Sequence, residues 1–408
     1  MKVDTPFVEG SPWSSRRAKA LFDRQRRDPR QSDGIVTAFR DGEVTLRSNR
    51  RVEGFTNAIH EHGYQGIRAG DLVIHSMDGF AGAIGVSDSD GKSSPVVHCY
   101  RPRPDVDARF YAYLLRDLAI QGYVTSLAKG IRERSTAFDS ETFRSLVLPV
   151  PSLGEQRAIA DYLDTETARI DALITKKRQM IDLLAESWSG EIVERTIGQP
   201  GRVALRRLVV PPIGGTWGGP VGEHEVEATC VRGADFDTRR LGVDEGSAPT
   251  RSFQPSDYSS KALRPGDLII EKSGGGDNQP VGRVVQWTGV GRAVPTNFAA
   301  RLRPDRRVHS RWLCFTLRGA YEVGLTRSWI KQTTGIQNLD LGGFLSEKVR
   351  VPELEEQEAI AETLDRRLSS YHRAHEAIDR QLSLLAEHRR ALITAAVTGE
   401  LRVSEVST

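Results

Sequence analysis

The chain has 408 residues, a formal net charge of only +3 and a mean hydropathy of −0.41. This length exceeds what one hydrophobic core usually serves, so at least two domains are expected, and no apolar run approaches the roughly 20 residues that span a bilayer. The first residues form no apolar signal-peptide core and the three cysteines have no paired spacing, so we expect a cytoplasmic protein without a membrane partner, disulfide framework or metal.

The first block, residues 1–150, is interpreted as mixed α/β. IRAGDLVI at 67–74 and GAIGV at 82–86 predict short strands separated by tight turns. FYAYLLRDL at 110–118 predicts a helix. The stretch 16–34, RRAKALFDRQRRDPRQSDG, is interpreted as a basic helix or arm followed by a loop.

A long helix is predicted in the next segment, residues 151–199. Pro151 stands just before SLGEQRAIADYL at 152–163, and acidic residues follow in the first turns, as the helix dipole favours. Apolar residues then recur at steps of three, four or seven as far as Ile192. A helix of about 40 residues would be roughly 60 Å long. Its narrow apolar stripe is typical of a coiled-coil seam.

The second block, residues 200–351, follows the first in outline. LRPGDLII at 263–270 matches the earlier turn and apolar run, and GRVVQW at 282–287 predicts a further strand. RWLCFTLRGAYEVGL at 311–325 predicts a helix. Between these landmarks the two blocks differ heavily. We therefore expect the same framework of strands and helices in both blocks, with different residues at the surface.

The last segment, residues 352–408, repeats the first long helix. ELEEQEAIAETL at 353–364 has seven of twelve positions in common with 152–163, at an offset of 201 residues. Val-Pro precedes both copies, and LLAE recurs at 183–186 and 384–387. The two helices can therefore pair antiparallel within the chain. Pairing with another protein or with a second copy of the chain is the alternative.

The charges are distributed unevenly over these four segments. Basic side chains outnumber acidic ones by 22 to 15 in residues 200–351 and by 22 to 19 in residues 1–150. Acidic side chains are in excess in residues 151–199 and 352–408. This asymmetry is a weak indication that the blocks meet a polyanion. Ordinary surface scatter is the alternative.

Motifs that carry catalysis are not found. GVSDSDGKS at 85–93 has one residue too many for a phosphate loop and leads into VVHCY rather than a helix. DLIIEK at 267–272 lacks the spacing of a nuclease cluster. No dinucleotide fingerprint, HExxH or GxSxG motif occurs, and the histidines show no metal-ligand spacing. The pattern favours a binding and assembly subunit over an enzyme.

The two helix starts carry a resemblance to a known family. Pro151, Leu153, Glu155, Gln156 and Ile159 begin a motif that resembles the spacer helix of type I restriction-modification specificity subunits. The same motif returns from Pro352 onward, which fits the duplicated layout of that family. TTGIQNLDL at 333–341 and the Gly-Asp-Leu turns are also similar to family segments, whereas KGIRERSTAFDSETF at 129–143 keeps only Gly-Ile.

The resemblance implies an α+β fold. Two mixed α/β target recognition domains, 1–150 and 200–351, are expected to be joined by the two long helices of 151–199 and 352–408. The helices would pack as an antiparallel intramolecular coiled coil with pseudo-two-fold symmetry. Each domain would read one half of a bipartite, asymmetric target in double-stranded DNA.

The resemblance also implies partners and cofactors. The helices would dock two modification (methyltransferase) subunits, which bind S-adenosylmethionine. Restriction subunits, which use ATP and Mg, join the complex in systems that have them. No cofactor is expected on this chain, which would perform no chemistry itself.

Residues for DNA contact are expected in polar loops, because Arg suits guanine and Asn or Gln suits adenine. In the first block they are Arg47, Asn49, Arg50, Arg51, Ser76, Lys129, Arg132 and Arg134. In the second they are Ser273, Asn278, Gln279, Asn297, Lys331, Gln332, Gln337 and Asn338. Partner docking is expected at Glu155, Gln156, Ile159, Leu163, Glu356, Gln357, Ile360 and Leu364.

Two other functions stay open at the level of sequence. The chain could be a scaffold that joins two proteins through its acidic helices without touching DNA. It could also be an independent nuclease or methyltransferase, although the absence of catalytic motifs disfavours this.

Overall fold

The computed structural model describes residues 3–50, 62–127, 138–333 and 335–403. The chain divides into two compact units. Unit 1 comprises Met1–Lys176 and Gln381–Thr408, and unit 2 comprises Lys177–Arg380. Each unit therefore contains one of the two blocks together with part of each long helix.

Unit 1 is a mixed α/β unit. Its strands are β1 Val3–Asp4, β2 Ser14–Arg17, β3 Phe22–Gln25, β4 Val36–Ala38, β5 Val44–Leu46, β6 Gln65–Ile67, β7 Leu72–His75, β8 Ile84–Val86, β9 Gly91–Ser93, β10 Val97–Pro102 and β11 Leu146–Val150. Its helices are α1 Ala108–Ile120, α2 Tyr123–Ser126 and α3 Ser140–Ser145, and the long helix α4, Leu153–Thr196, starts here and ends in unit 2.

Unit 2 has the same kind of architecture. Its strands are β12 Val203–Ala204, β13 Ile213–Gly214, β14 Val226–Val231, β15 Phe236–Asp237, β16 Gly242–Val243, β17 Thr250–Phe253, β18 Leu268–Glu271, β19 Ser273–Gly274, β20 Val284–Gln286, β21 Ala293–Pro295, β22 Ala299–Leu302, β23 Ile330–Thr333, β24 Ile336–Leu339 and β25 Lys348–Val349. Its helices are α5 Pro255–Lys261, α6 Ser310–Glu322 and α7 Leu341–Phe344, and the second long helix α8, Leu354–Thr398, starts here and ends in unit 1.

Equivalent sheets form the centre of each unit. The strand order is β3-β10-β7-β8 in unit 1 and β13-β22-β18-β20 in unit 2. The strand after each Gly-Asp turn is buried on both faces. Leu72 and Ile74 face one apolar core while Val73 faces another, which explains why these strands are continuous apolar runs instead of alternating ones. Leu268, Ile269 and Ile270 divide in the same way.

The repeated Gly-Asp turn has a defined structural role. Gly266 has φ +94°, which an L side chain rarely adopts. The buried Asp267 accepts the Arg264 amide at 2.7 Å and a bidentate pair of hydrogen bonds from Arg303, both at 2.7 Å. In unit 1, Asp71 makes the same turn, but its arginine is Arg27. The carboxylate is thus retained, while the arginine that binds it follows β22 in unit 2 and β3 in unit 1.

The long helices run antiparallel in each unit. In unit 1 the beginning of α4, through Ile159 and Leu163, shares a core with Ile393 near the end of α8. Arg389 Nε lies 3.0 Å from Asp171 Oδ1 beside that core. In unit 2 the end of α4 packs on the beginning of α8, where Ile192 shares a core with Leu364 and Leu368. Together with the mixed α/β units, this confirms the predicted fold class.

A buried glutamine fastens each block to its long helix. Gln156 Oε1 accepts the Asp107 amide at 2.8 Å, and its Nε2 donates to the carbonyls of Pro151 at 2.9 Å and Asp105 at 3.2 Å. Asp107 is the N-cap residue of α1. One amide group therefore bridges the start of α4 and the start of α1. We call this arrangement the glutamine clamp.

The glutamine clamp recurs in unit 2. Gln357 Oε1 accepts the amide of His309, the N-cap residue of α6, at 2.8 Å, and Nε2 donates to Pro352 O at 2.8 Å. Beside it, the guanidinium of Arg311 donates two hydrogen bonds to Asp365 Oδ1, at 2.9 and 2.8 Å. The Glu-Gln motif and the aspartate that ends it are thus explained by contacts inside the chain.

The prediction of a basic helix or arm at 16–34 is wrong for its first part. Ser14–Arg17 is strand β2, Ala18–Ala20 is a 3-10 turn, and Phe22–Gln25 is strand β3. Strand β2 pairs with β11 and β3 with β10, which bury Ala18 and Phe22. These distant partners outweigh the local helical preference.

The glutamine clamp makes a testable prediction for stability. Gln357→Ala leaves the His309 amide and the Pro352 carbonyl without partners in a buried site, so we expect a loss of at least about 2 kcal/mol. Urea unfolding followed by circular dichroism measures it. Glu358→Ala, at the exposed neighbouring position, is the control. Equal unfolding of both variants would contradict the assignment.

Candidate nucleic-acid interface

Several residues predicted to contact DNA come together at one sheet of unit 2. Strands β19, β24 and β23 pair in that order. Ser273 lies opposite Asn338, which in turn lies opposite Lys331, and Ser273 Oγ donates to Asn338 Oδ1 at 2.7 Å. Gln332 is exposed on the outer strand. Two loops separated by more than fifty residues in sequence thus form one polar surface.

Not all the predicted residues on this sheet are free to reach a ligand. Gln337 is buried, and its Oε1 accepts the Val281 amide at 3.1 Å, so it holds the loop 273–281 in place. Lys331 Nζ lies 2.8 Å from Asp340 Oδ2. This hydrogen bond lowers the pKa of Asp340. Asn278 and Gln279 lie exposed at the tip of the loop, where Gly276 and Gln279 form a backbone bridge.

The third predicted loop adds Asn297 to the same region. Asn297 and Phe298 are exposed in the turn between β21 and β22. The Phe298 carbonyl accepts the amides of Lys272 at 2.7 Å and Ser273 at 3.0 Å. We call the group of Lys272, Ser273, Asn297, Phe298, Gln332 and Asn338 the unit 2 surface.

An exposed aromatic side chain, Trp217, lies in a segment next to the same turn. The Thr216 amide donates to Pro295 O at 2.8 Å, which places the segment around Trp217 next to the turn. Trp217 is 41% exposed, and the Arg251 guanidinium lies 5.1 Å from its ring centroid. A stacked cation and an exposed indole are suited to nucleic acid.

Lys272 is available as a cation at the centre of the unit 2 surface. Within the described residues it forms no ion pair, whereas the preceding Glu271 is buried and bound by Arg283 at 2.8 and 3.0 Å. Glu271 is therefore a structural carboxylate. Lys272 is half-buried, and its Nζ lies beside Gly214 of β13.

In unit 1 the predicted residues lie at two separate places. Arg47, Asn49 and Arg50 follow the β4–β5 hairpin, where Asn49 Nδ2 donates to Thr45 Oγ1 at 2.9 Å. Ser76 is buried at the end of β7. Arg51, Lys129, Arg132 and Arg134 lie outside the described residues, as does most of the loop 129–143.

Arg50 is already engaged within unit 1. Its guanidinium forms ion pairs with Asp41 and, at 3.1 Å, with Glu43, and lies 4.2 Å above the Phe39 ring. Hydrogen bonding to Asp41 raises the pKa of Arg50. The contacts indicate that this arginine holds the β4–β5 hairpin, and a phosphate would have to displace two carboxylates to reach it.

Two further basic side chains of unit 1, Arg24 and Arg26, lie near His98. Burial lowers the pKa of His98, and the charges of Arg24 and Arg26 lower it further. Arg24 and Arg26 are exposed at the end of β3 and just beyond it. Both belong to the stretch 16–34, whose basic character was visible in the sequence although its strand structure was not.

Most of the residues predicted for partner docking are buried in the folded protein. Ile159, Leu163 and Leu364 are buried, Ile360 is half-buried, and Gln156 and Gln357 form the clamps. Glu155 caps α4 by accepting the Ser152 amide and hydroxyl, at 2.9 and 2.7 Å, and these bonds lower its pKa. Glu356 accepts from Arg350 at 2.8 Å. The exposed apolar side chains of the two helices are Leu173, Met180, Leu183, Leu354 and Leu384.

The described residues offer neither a metal site nor a membrane-spanning helix. Among the described residues, no group of three or more His, Cys, Asp or Glu side chains is placed to hold a metal ion. The three cysteines are free and buried, and burial raises the pKa of Cys230 and of Cys314 to about 11. None of the helices in the described ranges is long and apolar enough to cross a membrane.

Sequence analysis missed three residues of this region: Trp217, Lys272 and Phe298. Lys272 was visible only as the end of a rejected nuclease pattern. Phe298 directly follows the predicted Asn297, and its exposure depends on how the turn is held. No signal in the sequence placed Trp217 next to that turn.

The chain resembles known proteins in both sequence and structure. No model of a known protein family matches the chain. The chain is similar to the type I restriction enzyme StySPI specificity subunit of Salmonella potsdam, with 22% identity over 358 residues, covering 83% of this chain and 76% of that protein. A chain from a structure on complex assembly and conformational transition of the type I R-M system superposes with a TM-score of 0.74. The chain has the fold of a type I specificity subunit.

This specificity-subunit fold extends over nearly the whole chain. The superposition covers 96% of this chain and 100% of the compared one, at 18% identity. The HsdS subunit from Thermoanaerobacter tengcongensis gives a TM-score of 0.56 with 20% identity, over 97% of this chain and 100% of that subunit. The resemblance drawn from the two Glu-Gln helix starts is confirmed.

Proposed function

We propose that the chain is the DNA-binding specificity subunit of a type I restriction-modification complex and reads a bipartite, asymmetric target in double-stranded DNA. The observation that carries this proposal is that the two units share the same structural elements but present different polar residues at the surface. The central sheet, the Gly-Asp turn and the glutamine clamp recur in both units. The polar residues presented beside them differ. Two domains built alike but lined differently are suited to two different half-sites.

The chemistry of the unit 2 surface fits DNA. We infer that Lys272 contacts a phosphate, which supplies affinity that depends on salt. Asn297, Gln332 and Asn338 carry amides, which pair with adenine edges in the major groove. Ser273 holds the Asn338 carbonyl oxygen, so that amide is oriented before DNA arrives.

The long helices have the length and continuity of spacers. α4 has 44 residues and α8 has 45, which corresponds to roughly 66 Å at 1.5 Å per residue. Both pass without a break from one unit into the other. We infer that their length sets the number of unread base pairs between the half-sites.

Modification subunits are proposed to dock on the exposed faces of the long helices. Leu173, Met180 and Leu183 of α4 and Leu384 of α8 leave apolar surface uncovered. Their positions on the helices favour them over the buried residues of the Glu-Gln motif. S-adenosylmethionine would be bound by the modification subunits, and ATP with Mg by restriction subunits where these are present.

The test of this function is selection from random duplex DNA by the chain assembled with its modification subunits. We expect enrichment of two different short sequences separated by a fixed number of unread base pairs. Each read base pair should cost about 1–3 kcal/mol when changed. Binding of the partner proteins without any enriched DNA sequence would contradict the proposal and favour a scaffold.

The role of Lys272 can be measured separately. Lys272→Ala should weaken binding to all DNA sequences and reduce the slope of log affinity against log salt by about 0.9, because one phosphate contact is lost. Arg307→Ala is the matched control, since Arg307 was not predicted to contact DNA and is paired with Asp305 at 2.9 Å. It should leave the slope unchanged. An unchanged slope for Lys272→Ala would exclude this residue from the interface.

A further inference from the structure

The turn that carries Phe298 is held rigidly although the ring is exposed. Phe298 is 50% exposed. Its carbonyl accepts two amides from the end of β18 and the start of β19, the Ala299 amide donates to Thr296 O at 2.9 Å, and the Thr296 amide donates to Val231 O at 2.9 Å. The backbone that carries the ring is therefore held in place before any partner arrives.

The corresponding turn of unit 1 also exposes an apolar side chain. The Ser76 amide donates to Val96 O at 2.8 Å, as the Lys272 amide does to Phe298 O, and the Phe138 amide donates to Ser76 O as the Leu339 amide does to Lys272 O. Val96 is 38% exposed. Its neighbour is Pro95 where unit 2 has Asn297. An apolar side chain at this position is thus a repeated feature, whereas the amide beside it belongs to unit 2 alone.

Asn297 and Phe298 together match the major-groove edge of adenine and thymine. An Asn amide can bond adenine N6 and N7, and apolar side chains contact the thymine C5 methyl group. Lys272, whose amide donates to Phe298 O, supplies a cation beside this turn that can bind a DNA phosphate. Because the region also carries the cations Lys272 and Arg251, DNA is the partner that we expect to contact this apolar side chain.

We propose that the Asn297-Phe298 turn reads A·T base pairs in the half-site bound by unit 2, with the Phe298 ring packed against the methyl group of one thymine. This inference rests on the proposed DNA-reading function. A ring that is half covered by its own unit can offer a face to a methyl group. It cannot enter fully between two bases, as the wedges of minor-groove proteins do.

The test replaces each thymine of the half-site in turn by deoxyuridine, which removes the methyl group and keeps the hydrogen bonds. With the full chain and its modification subunits, we expect one replacement to weaken binding about fourfold, as burial of one methyl group implies. Phe298→Ala should abolish this loss, and Phe298→Leu should retain part of it.

Controls separate this inference from the function on which it rests. Val290→Ala, at a 97% exposed apolar residue outside the turn, should leave the deoxyuridine effect unchanged. A half-site without thymine, or equal deoxyuridine effects in the native chain and Phe298→Ala, would overturn the inference while the specificity function stands. A rise in 2-aminopurine fluorescence that depends on Phe298 would show base unstacking and overturn it as well. Absence of any enriched sequence would instead refute the function.

Discussion

The buried amides of Gln156 and Gln357 are the contacts on which the arrangement of each unit depends. Burying an amide is costly unless its donors and acceptor are satisfied. Each glutamine uses its amide oxygen and nitrogen to bond both the start of its own long helix and the cap of the helix that covers the central sheet. A shorter or apolar side chain could not make both connections. The same helix start therefore appears twice because two blocks have to be fastened in the same way.

Outside this clamp, the two units bind their equivalent buried aspartates through different residues. Asp71 and Asp267 occupy equivalent turns in the two units, yet the arginine of the first follows β3 and that of the second follows β22. Position 99 is a cysteine that donates to Asp71, whereas position 301 at the same register is an arginine. Such exchanges indicate that the buried carboxylate needs a paired arginine, whereas the position in the chain that supplies this arginine can differ between the units. Surfaces can diverge further because they face no comparable packing constraint.

Much of the frame could be predicted from sequence because its signals are local or repeated. The long helices and the strands after Gly70 and Gly266 followed from periodicity, proline and the offsets of the repeat. The strands at 14–17 and 22–25 did not, since their pairing with β11 and β10 joins residues far apart in sequence. The burial of Gln156 also escaped prediction, because a periodic pattern assigns a polar residue to the surface.

The candidate site was predicted in its parts but not in its assembly. Ser273 and Asn338 were singled out as loop residues, yet only the pairing of β19 with β24 shows that they touch. Gln337 was chosen because its amide suits adenine, but its Oε1 accepts a hydrogen bond from the Val281 amide. Phe298 required the turn to be seen, since exposure of an aromatic ring depends on the backbone that supports it. The roles of the predicted DNA-binding residues stay predictions.

On the proposed function, each unit reads one half-site independently of the other. A direct test compares the DNA targets selected by the native chain with those selected by a variant in which Ser273, Asn297 and Asn338 are all changed to alanine. Sequence preference should be lost in one half of the target, while the other half and the unread gap persist. Equal loss of preference in both halves would contradict it.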